Sequence, residues 1–309
     1  MTPGSKNSIR LFEAFGITVF LHWSWFLVAA WQLERRGATR ETFIWVAAEY
    51  LGLFALVLLH EFGHSLACRQ VGGTAREIIL WPLGGVAYVS PPPRPGAYLW
   101  SIAAGPLVNV ALLPVFFGLD LLARGLGWPA TAPATYELLS QLKLINFVLM
   151  VFNLLPIYPL DGGQIVRALL WFPLGRARSL TIASVIGVAG AAAFMAWALY
   201  ERSLWIALLG FFALTRSWNG FRESRAMARI ESWPRHEGYI CPGCERHPPR
   251  APLWTCGGCQ ERFDLFETGG ACPACARSFG ATACPECGQV HPTDQWKHRP
   301  PEQGGWSGE

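Results

Sequence analysis

Charge is what this sequence has least of: Asp, Glu, Lys and Arg make up 15% of its 309 residues, against about 25% in soluble domains. With 52% apolar and 13% aromatic residues, the composition argues against an ordinary soluble domain and for a membrane protein. Thiols are almost missing from the body of the chain. Cys68 is the one cysteine among the first 240 residues, and the other eight crowd between Cys241 and Cys287, which divides the chain into a membrane body, 1–232, and a cysteine-rich tail, 233–309. Residues 1–10 lack the apolar core of a cleavable signal peptide, so the first hydrophobic stretch is expected to stay as a membrane helix. Repeats are absent apart from a short run, Pro91, Pro92, Pro93 and Pro95, which reads as a stiff linker. The formal charge of +4 is too small to decide for or against nucleic acid.

What is present is a set of apolar windows near the 17 to 25 residues a bilayer span requires. They fall near 17–32, 43–66, 98–123, 138–157, 180–199 and 203–219, predicting an α-helical polytopic membrane protein with about six transmembrane helices. The fourth carries Lys143, whose long stem is expected to snorkel to the interface. Trp25 and Tyr98, with other aromatics at segment ends, read as interfacial belts, and His22 as interfacial too. Of the basic residues flanking the spans, Lys6, Arg10, Arg69, Arg76, Arg94, Arg167, Arg176, Arg178, Arg216, Arg222, Arg225 and Arg229 fall on one side, and only Arg35, Arg36, Arg40, Arg124 and Arg202 on the other. Basic loops stay cytosolic, so both termini are predicted to be cytosolic. Residues 74–90 are too short to cross as a helix; with Pro82-Leu83-Gly84-Gly85 between apolar runs, they predict a membrane-associated β-hairpin or re-entrant loop. Its exposed edge is one an extended peptide can join by strand addition.

The second window ends in His60-Glu61-Phe62-Gly63-His64. On a helix the two imidazoles share a face and can hold one zinc, with Glu61 beside the metal's water as general base. Ionisable groups at membrane depth mark a functional, water-lined cavity, and the predicted topology puts this one near the cytosolic leaflet. Zinc hydrolases use three protein ligands. Glu137 and Glu201 lie on the opposite side in this topology and Asp120 toward it, which leaves Asp161, in Asn153-Leu-Leu-Pro-Ile-Tyr-Pro-Leu-Asp161-Gly162-Gly163. Pro156 and Pro159 interrupt the helix, and Gly162-Gly163 is expected to free the backbone so that the carboxylate reaches a cavity. Cys68, one turn past His64, reads as a buried inert thiol. Asn109 and Asn146 read as helix-to-helix glue.

The HExxH helix and the downstream Asn-x-x-Pro-x-x-x-Leu-Asp-Gly segment together resemble the site-2 proteases, intramembrane zinc metalloproteases, in their six-helix branch. The resemblance covers roughly 10–220 and includes Gly84-Gly85 and Gly105-Pro106-x-x-Asn109. It implies an endopeptidase that cleaves transmembrane segments of membrane-anchored proteins within the lipid bilayer, and it supports a functional Asn153, which could donate a hydrogen bond to the substrate carbonyl or oxyanion. Members of that branch often carry a nucleotide-sensing domain after the membrane core; here a cysteine module stands instead.

That module holds four C-x-x-C knuckles, Cys241/Cys244, Cys256/Cys259, Cys272/Cys275 and Cys284/Cys287. Two knuckles complete one four-thiolate site, so two structural zincs join the catalytic one, with sequential and cross-braced pairing both open. The knuckles resemble a double zinc ribbon. Disulfides would require an oxidising compartment, at odds with a cytosolic tail. The expected core is Trp254, Phe263, Phe266 and Phe279, and His236, His247, His291 and His298 are expected at the surface. Residues 233–309 carry seven Lys and Arg against nine Asp and Glu; two four-thiolate zincs bring the balance to about −6. That disfavours nucleic acid and favours a protein-docking or structural module. Two other readings compete with the protease. A non-catalytic zinc transporter or metal sensor has no need of Glu61, and a zincin with a glutamate ligand lacks a downstream Glu at cytosolic depth.

Overall fold

The computed structural model describes residues 8–36, 40–81 and 84–297. The chain divides into two compact units, 1–222 and 223–309.

The first unit begins with two strands, β1 (Ser8–Ala14) and β2 (Ile17–His22), followed by α1 (Ser24–Arg36) and α2 (Arg40–Gln70). Then come β3 (Thr74–Trp81) and β4 (Gly84–Ser90), α3 (Pro95–Gly125), a single turn α4 (Trp128–Thr131), α5 (Pro133–Asn153), α6 (Asp161–Leu174), α7 (Arg176–Glu201) and α8 (Leu204–Glu231). Four helical stretches among the described residues are long and apolar enough to cross a membrane: Phe43–Gln70, Pro95–Gly125, Pro133–Asn153 and Arg176–Glu201. They match the second to fifth windows.

The first window is corrected. Residues 17–20 alternate in burial, with Ile17 and Val19 fully buried, because 17–22 pair as a strand in parallel with β3, Thr18 opposite Glu77 through Leu21 opposite Leu80. The helix that follows has 13 residues, about 20 Å at 1.5 Å per residue, too short for about 30 Å of hydrocarbon. The sixth window lies within α8, which carries Arg216, Arg222, Glu223, Arg225 and Arg229 and is not among the four apolar spans.

The hairpin forms over the expected residues, with Thr74 opposite Ser90 and Trp81 opposite Gly84. It is half of a larger sheet, ordered β1-β2-β3-β4, and β4 is an edge. Ile17, Val19, Ile78 and Leu80 pack with Val57 of α2 into one core, so the sheet lies on the helix that bears both imidazoles.

Packing among the helices is inverted relative to a soluble protein. The buried positions of α3 include Ser101, Ala104, Gly105, Asn109 and Ala123, and those of α7 include Ala177, Ser179, Ala183, Ser184, Gly187 and Ala191. Large side chains such as Phe117, Leu121 and Leu199 face outward. Small residues at helix contacts and aliphatic residues outside are what lipid as solvent selects. Lys143 Nζ lies 3.3 Å from Asp120 Oδ2, a carboxylate it shares with Arg124 at 3.2 Å. Trp25 is buried against Tyr50, and His22 is buried and stacked on Trp81 with ring centroids 3.8 Å apart. Neither is a belt residue: Tyr50 and Phe54 of α2 cover Trp25, and Trp81 of β3 covers His22.

In the second unit, two short hairpins carry the fold: β5 (Trp254–Thr255) with β6 (Arg262–Phe263), and β7 (Ala281–Ala283) with β8 (Val290–Pro292). Phe263 and Phe266 are core residues as expected; Leu265 and Trp296 join them, and Trp254 and Phe279 pack at the margin. His236 is buried, not on the surface, because Asp264 Oδ2 stands 2.8 Å from its Nε2. His247 is half-buried with Nδ1 2.7 Å from the Tyr239 carbonyl. His298 lies outside the described residues.

Candidate active site

The helical pitch does at His60 and His64 what the spacing predicts. Their Nε2 atoms are 3.1 Å apart, and Asp161 Oδ2 lies 3.0 Å from the first and 3.3 Å from the second. All three residues are buried. Asp161 arrives as the first residue of α6, after the break at 154–160. Gly162 and Gly163 lie within that helix and serve as space rather than freedom: a Cβ on Gly162 would overlap the Leu154 carbonyl.

The hydrogen bonds fix the tautomer that each neutral ring adopts. Asn146 Nδ2 donates to the backbone carbonyl of Asn109 at 3.0 Å, so Asn146 Oδ1 accepts from Asn109 Nδ2 at 2.9 Å. Asn109 Oδ1 is thereby left facing His60 Nδ1 at 2.6 Å, and that nitrogen must donate. His64 Nδ1 stands 2.9 Å from the Ser101 carbonyl and must donate as well. Both Nε2 atoms then present lone pairs, and Asp161 Oδ2 is buried with no hydrogen-bond partner. Three buried lone-pair donors 3.0–3.3 Å apart repel one another unless a cation sits among them. A tetrahedral zinc with bonds of about 2.0–2.1 Å sets its ligand atoms about 3.3–3.4 Å apart, so the set fits zinc.

Asn109 therefore does more than join helices. It orients a metal ligand, with Asn146 behind it, the usual outer layer of a histidine metal site. The signal was available in Gly105-Pro106-x-x-Asn109, a polar residue inside an apolar span.

Glu61 is buried, and its Oε2 accepts the Ala87 N–H of β4 at 3.0 Å. This contact requires the glycine at 85, where a Cβ would overlap Glu61 Cγ and stand 2.5 Å from its Cδ. Asn153 closes α5 in a half-buried position. Cys68 is fully buried, its sulphur directed at the Thr74 carbonyl at 3.6 Å, and takes no part in the cluster.

Comparisons with known proteins follow the same outline. The profile of peptidase family M50 matches residues 48–128 and 127–197. Zinc metalloprotease MJ0392 of Methanocaldococcus jannaschii is 35% identical over 211 residues, 66% of this chain and 58% of that protein. The putative zinc metalloprotease Rip3 of Mycobacterium tuberculosis is 30% identical over 227 residues, 67% of this chain and 57% of that protein. Membership of the M50, or site-2 protease, family is well supported. The solved site-2 protease from Methanocaldococcus jannaschii shares the site-2 protease fold over 70% of this chain and 95% of its own, with a TM-score of 0.51 and 29% identity. The chain spans about 58% of the length of MJ0392 and 57% of Rip3.

The tail adds two further donor sets, Cys241, Cys244, Cys284 and Cys287, and Cys256, Cys259, Cys272 and Cys275. The pairing is neither sequential nor cross-braced but nested: the first knuckle joins the fourth and encloses the second and third. Ile240 N–H bonds the Trp296 carbonyl at 2.8 Å and Tyr239 bridges Lys297, which brings the first knuckle beside the hairpin that holds the fourth. Cross-knuckle sulphurs lie 3.7 and 3.8 Å apart in the outer set and 3.5 Å apart in the inner one. A disulfide would require about 2.05 Å, whereas sulphurs on a tetrahedral zinc at about 2.3 Å sit about 3.8 Å apart. Backbone N–H groups of Cys259 and Gly258 aimed at Cys256 draw its thiol pKa down to about 6, while, against the Glu261 N–H, desolvation and the neighbouring sulphurs push Cys259 of the same knuckle up to about 12; four thiolates this close are stable together only around a cation. One catalytic-type and two structural zinc sites fit the donor atoms present.

Proposed function

We propose that this chain is an intramembrane zinc endopeptidase that cleaves transmembrane segments of membrane-anchored proteins. The observation that carries the reading is the buried lone-pair triad of His60, His64 and Asp161 with Glu61 one residue away. A transporter needs no general base beside its metal, whereas Glu61 is placed as one. Zinc in this cage supplies Lewis acidity, polarising a carbonyl and acidifying water toward a pKa of about 7. Glu61 accepts the water's proton and returns it to the leaving amine. Asn153 donates to the substrate carbonyl. A transmembrane helix hides its peptide bonds, so the substrate is one whose span unwinds, and the β4 edge beside Glu61 takes the extended segment by strand addition. The reading includes six crossings, the first made by β2 and α1 together rather than by one helix and the last by α8, with both termini in the cytosol, the active site near the cytosolic leaflet, and a division into a 1–232 membrane domain and a 233–309 double-ribbon-like module. Its negative balance favours a protein partner over nucleic acid.

The test is co-expression of candidate single-span proteins with the wild type and with Glu61→Gln. The variant is expected to hold three zincs and leave the client uncut. Cleavage at the wild-type rate removes Glu61 from the mechanism.

A further inference from the structure

His60 and His64 are each oriented by a hydrogen bond from α3, through Asn109 Oδ1 and the Ser101 carbonyl. Asp161 has no such direct hold, since its Oδ2 accepts no hydrogen bond. Nor is the start of α6 held in the ordinary way, because Leu160 at the cap position offers no side-chain bond. The carboxylate must be placed through its backbone.

We propose that Arg167, Tyr98 and Gln164 form a positioning relay that sets Asp161 against the two imidazoles. The relay runs in one direction. Arg167 Nη1 donates to the Tyr98 oxygen at 3.2 Å, the Tyr98 O–H donates to Gln164 Oε1 at 2.8 Å, and Gln164 Nε2 donates to the Pro159 carbonyl at 2.9 Å. Gln164 also closes the same turn through its backbone N–H on the Leu160 carbonyl at 3.0 Å. Pro159 and Leu160 are the two residues before Asp161, so both bonds fix the backbone that carries the ligand. Chains of hydrogen bonds with aligned donors strengthen one another.

Arg167 supports this role over simple helix packing. It is 8% exposed, and its Nε has no hydrogen-bond partner. Burying a guanidinium is costly, and this one is held by the Tyr98 ring, 5.0 Å from its centre, and by the Tyr98 oxygen. A methionine or leucine would pack there more cheaply; only a cation polarises the Tyr98 hydroxyl toward Gln164. The relay also completes a pattern. Tyr98, Ser101 and Asn109 all lie on α3, one for each ligand, so a single helix is the common reference for the metal cage.

The proposal rests on the zinc reading of the triad, and its test reads metal rather than proteolysis. Full-length protein in detergent is titrated with a competing zinc chelator, the two tail zincs serving as internal reference. Gln164→Leu and Tyr98→Phe are expected to weaken one zinc of three by about 10- to 100-fold, the usual effect of losing an outer partner, with the other two unmoved. Gln164→Glu, which accepts from Tyr98 but cannot donate to Pro159, is expected to behave as Gln164→Leu. Where a cleaved client is in hand, kcat falls and KM holds. If Gln164→Leu does not fold, Tyr98→Phe removes one hydroxyl and decides. A zinc affinity for Tyr98→Phe within twofold of wild type overturns the relay, whatever the protein's activity.

Discussion

Gly105→Ala isolates the geometry of the metal cage in one methyl group. In a helix interior, alanine is favoured over glycine by about 1 kcal/mol, and Gly105 lies in the middle of α3, so propensity alone predicts a more stable protein. Space predicts the reverse. A Cβ there would overlap Nε2 and Cε1 of His64 and stand 2.8 Å from its Cδ2, where ordinary contact begins near 3.4 Å. Nε2, the ligand atom, is the atom nearest that Cβ and must retreat by about 1.2 Å to reach ordinary contact, while metal sites tolerate about 0.2 Å in ligand distance. The ring cannot pivot freely, because its Nδ1 is tied to the Ser101 carbonyl four residues back along the same helix. We expect elemental analysis to fall from three zincs per chain to two, with cleavage lost and helical content kept. Gly118→Ala, on the same helix with nothing within 4 Å, is the control and should keep all three. Three zincs in Gly105→Ala would refute the placement of His64 against α3.

Asn109→Leu removes the acceptor of His60 Nδ1 and should weaken the same zinc by about 10- to 100-fold, measured by chelator competition; unchanged affinity would return Asn109 to a packing role. The nested tail is tested by paired serine substitutions. Cys256→Ser with Cys275→Ser should cost one zinc, whereas Cys241→Ser with Cys256→Ser should cost two; sequential pairing of the knuckles predicts the opposite counts.

Local patterns were legible in the sequence and distant partners were not. The imidazole pair, the four apolar spans and the hairpin depend on residues within one helix or one turn. Asp161 was reached because few acids stand at the right depth. The first window failed because Ile17–His22 and the apolar helix after it read as one continuous run, and what makes the first part a strand is β3, more than fifty residues later. The same limit hid the pairing of the knuckles, since C-x-x-C spacing carries no information about which pair meets which. It also hid the burial of His236, whose aspartate lies 28 residues away, and the second role of Asn109, since an amide in an apolar helix looks alike whether it grips a helix or a ligand.

The parallel pairing of β2 with β3 orders events during synthesis. Those strands are joined through α1 and α2, so the sheet cannot be completed until the histidine-bearing helix has been made and turned back. At about 5–20 residues per second, the roughly sixty residues from the end of β2 to the end of β3 take on the order of 3–12 s to emerge. For that interval the amino-terminal ribbon offers an open edge to any neighbouring strand, a known route to mispairing. The ribosome thus leaves the earliest-made strands waiting for the element on which the metal cage is built.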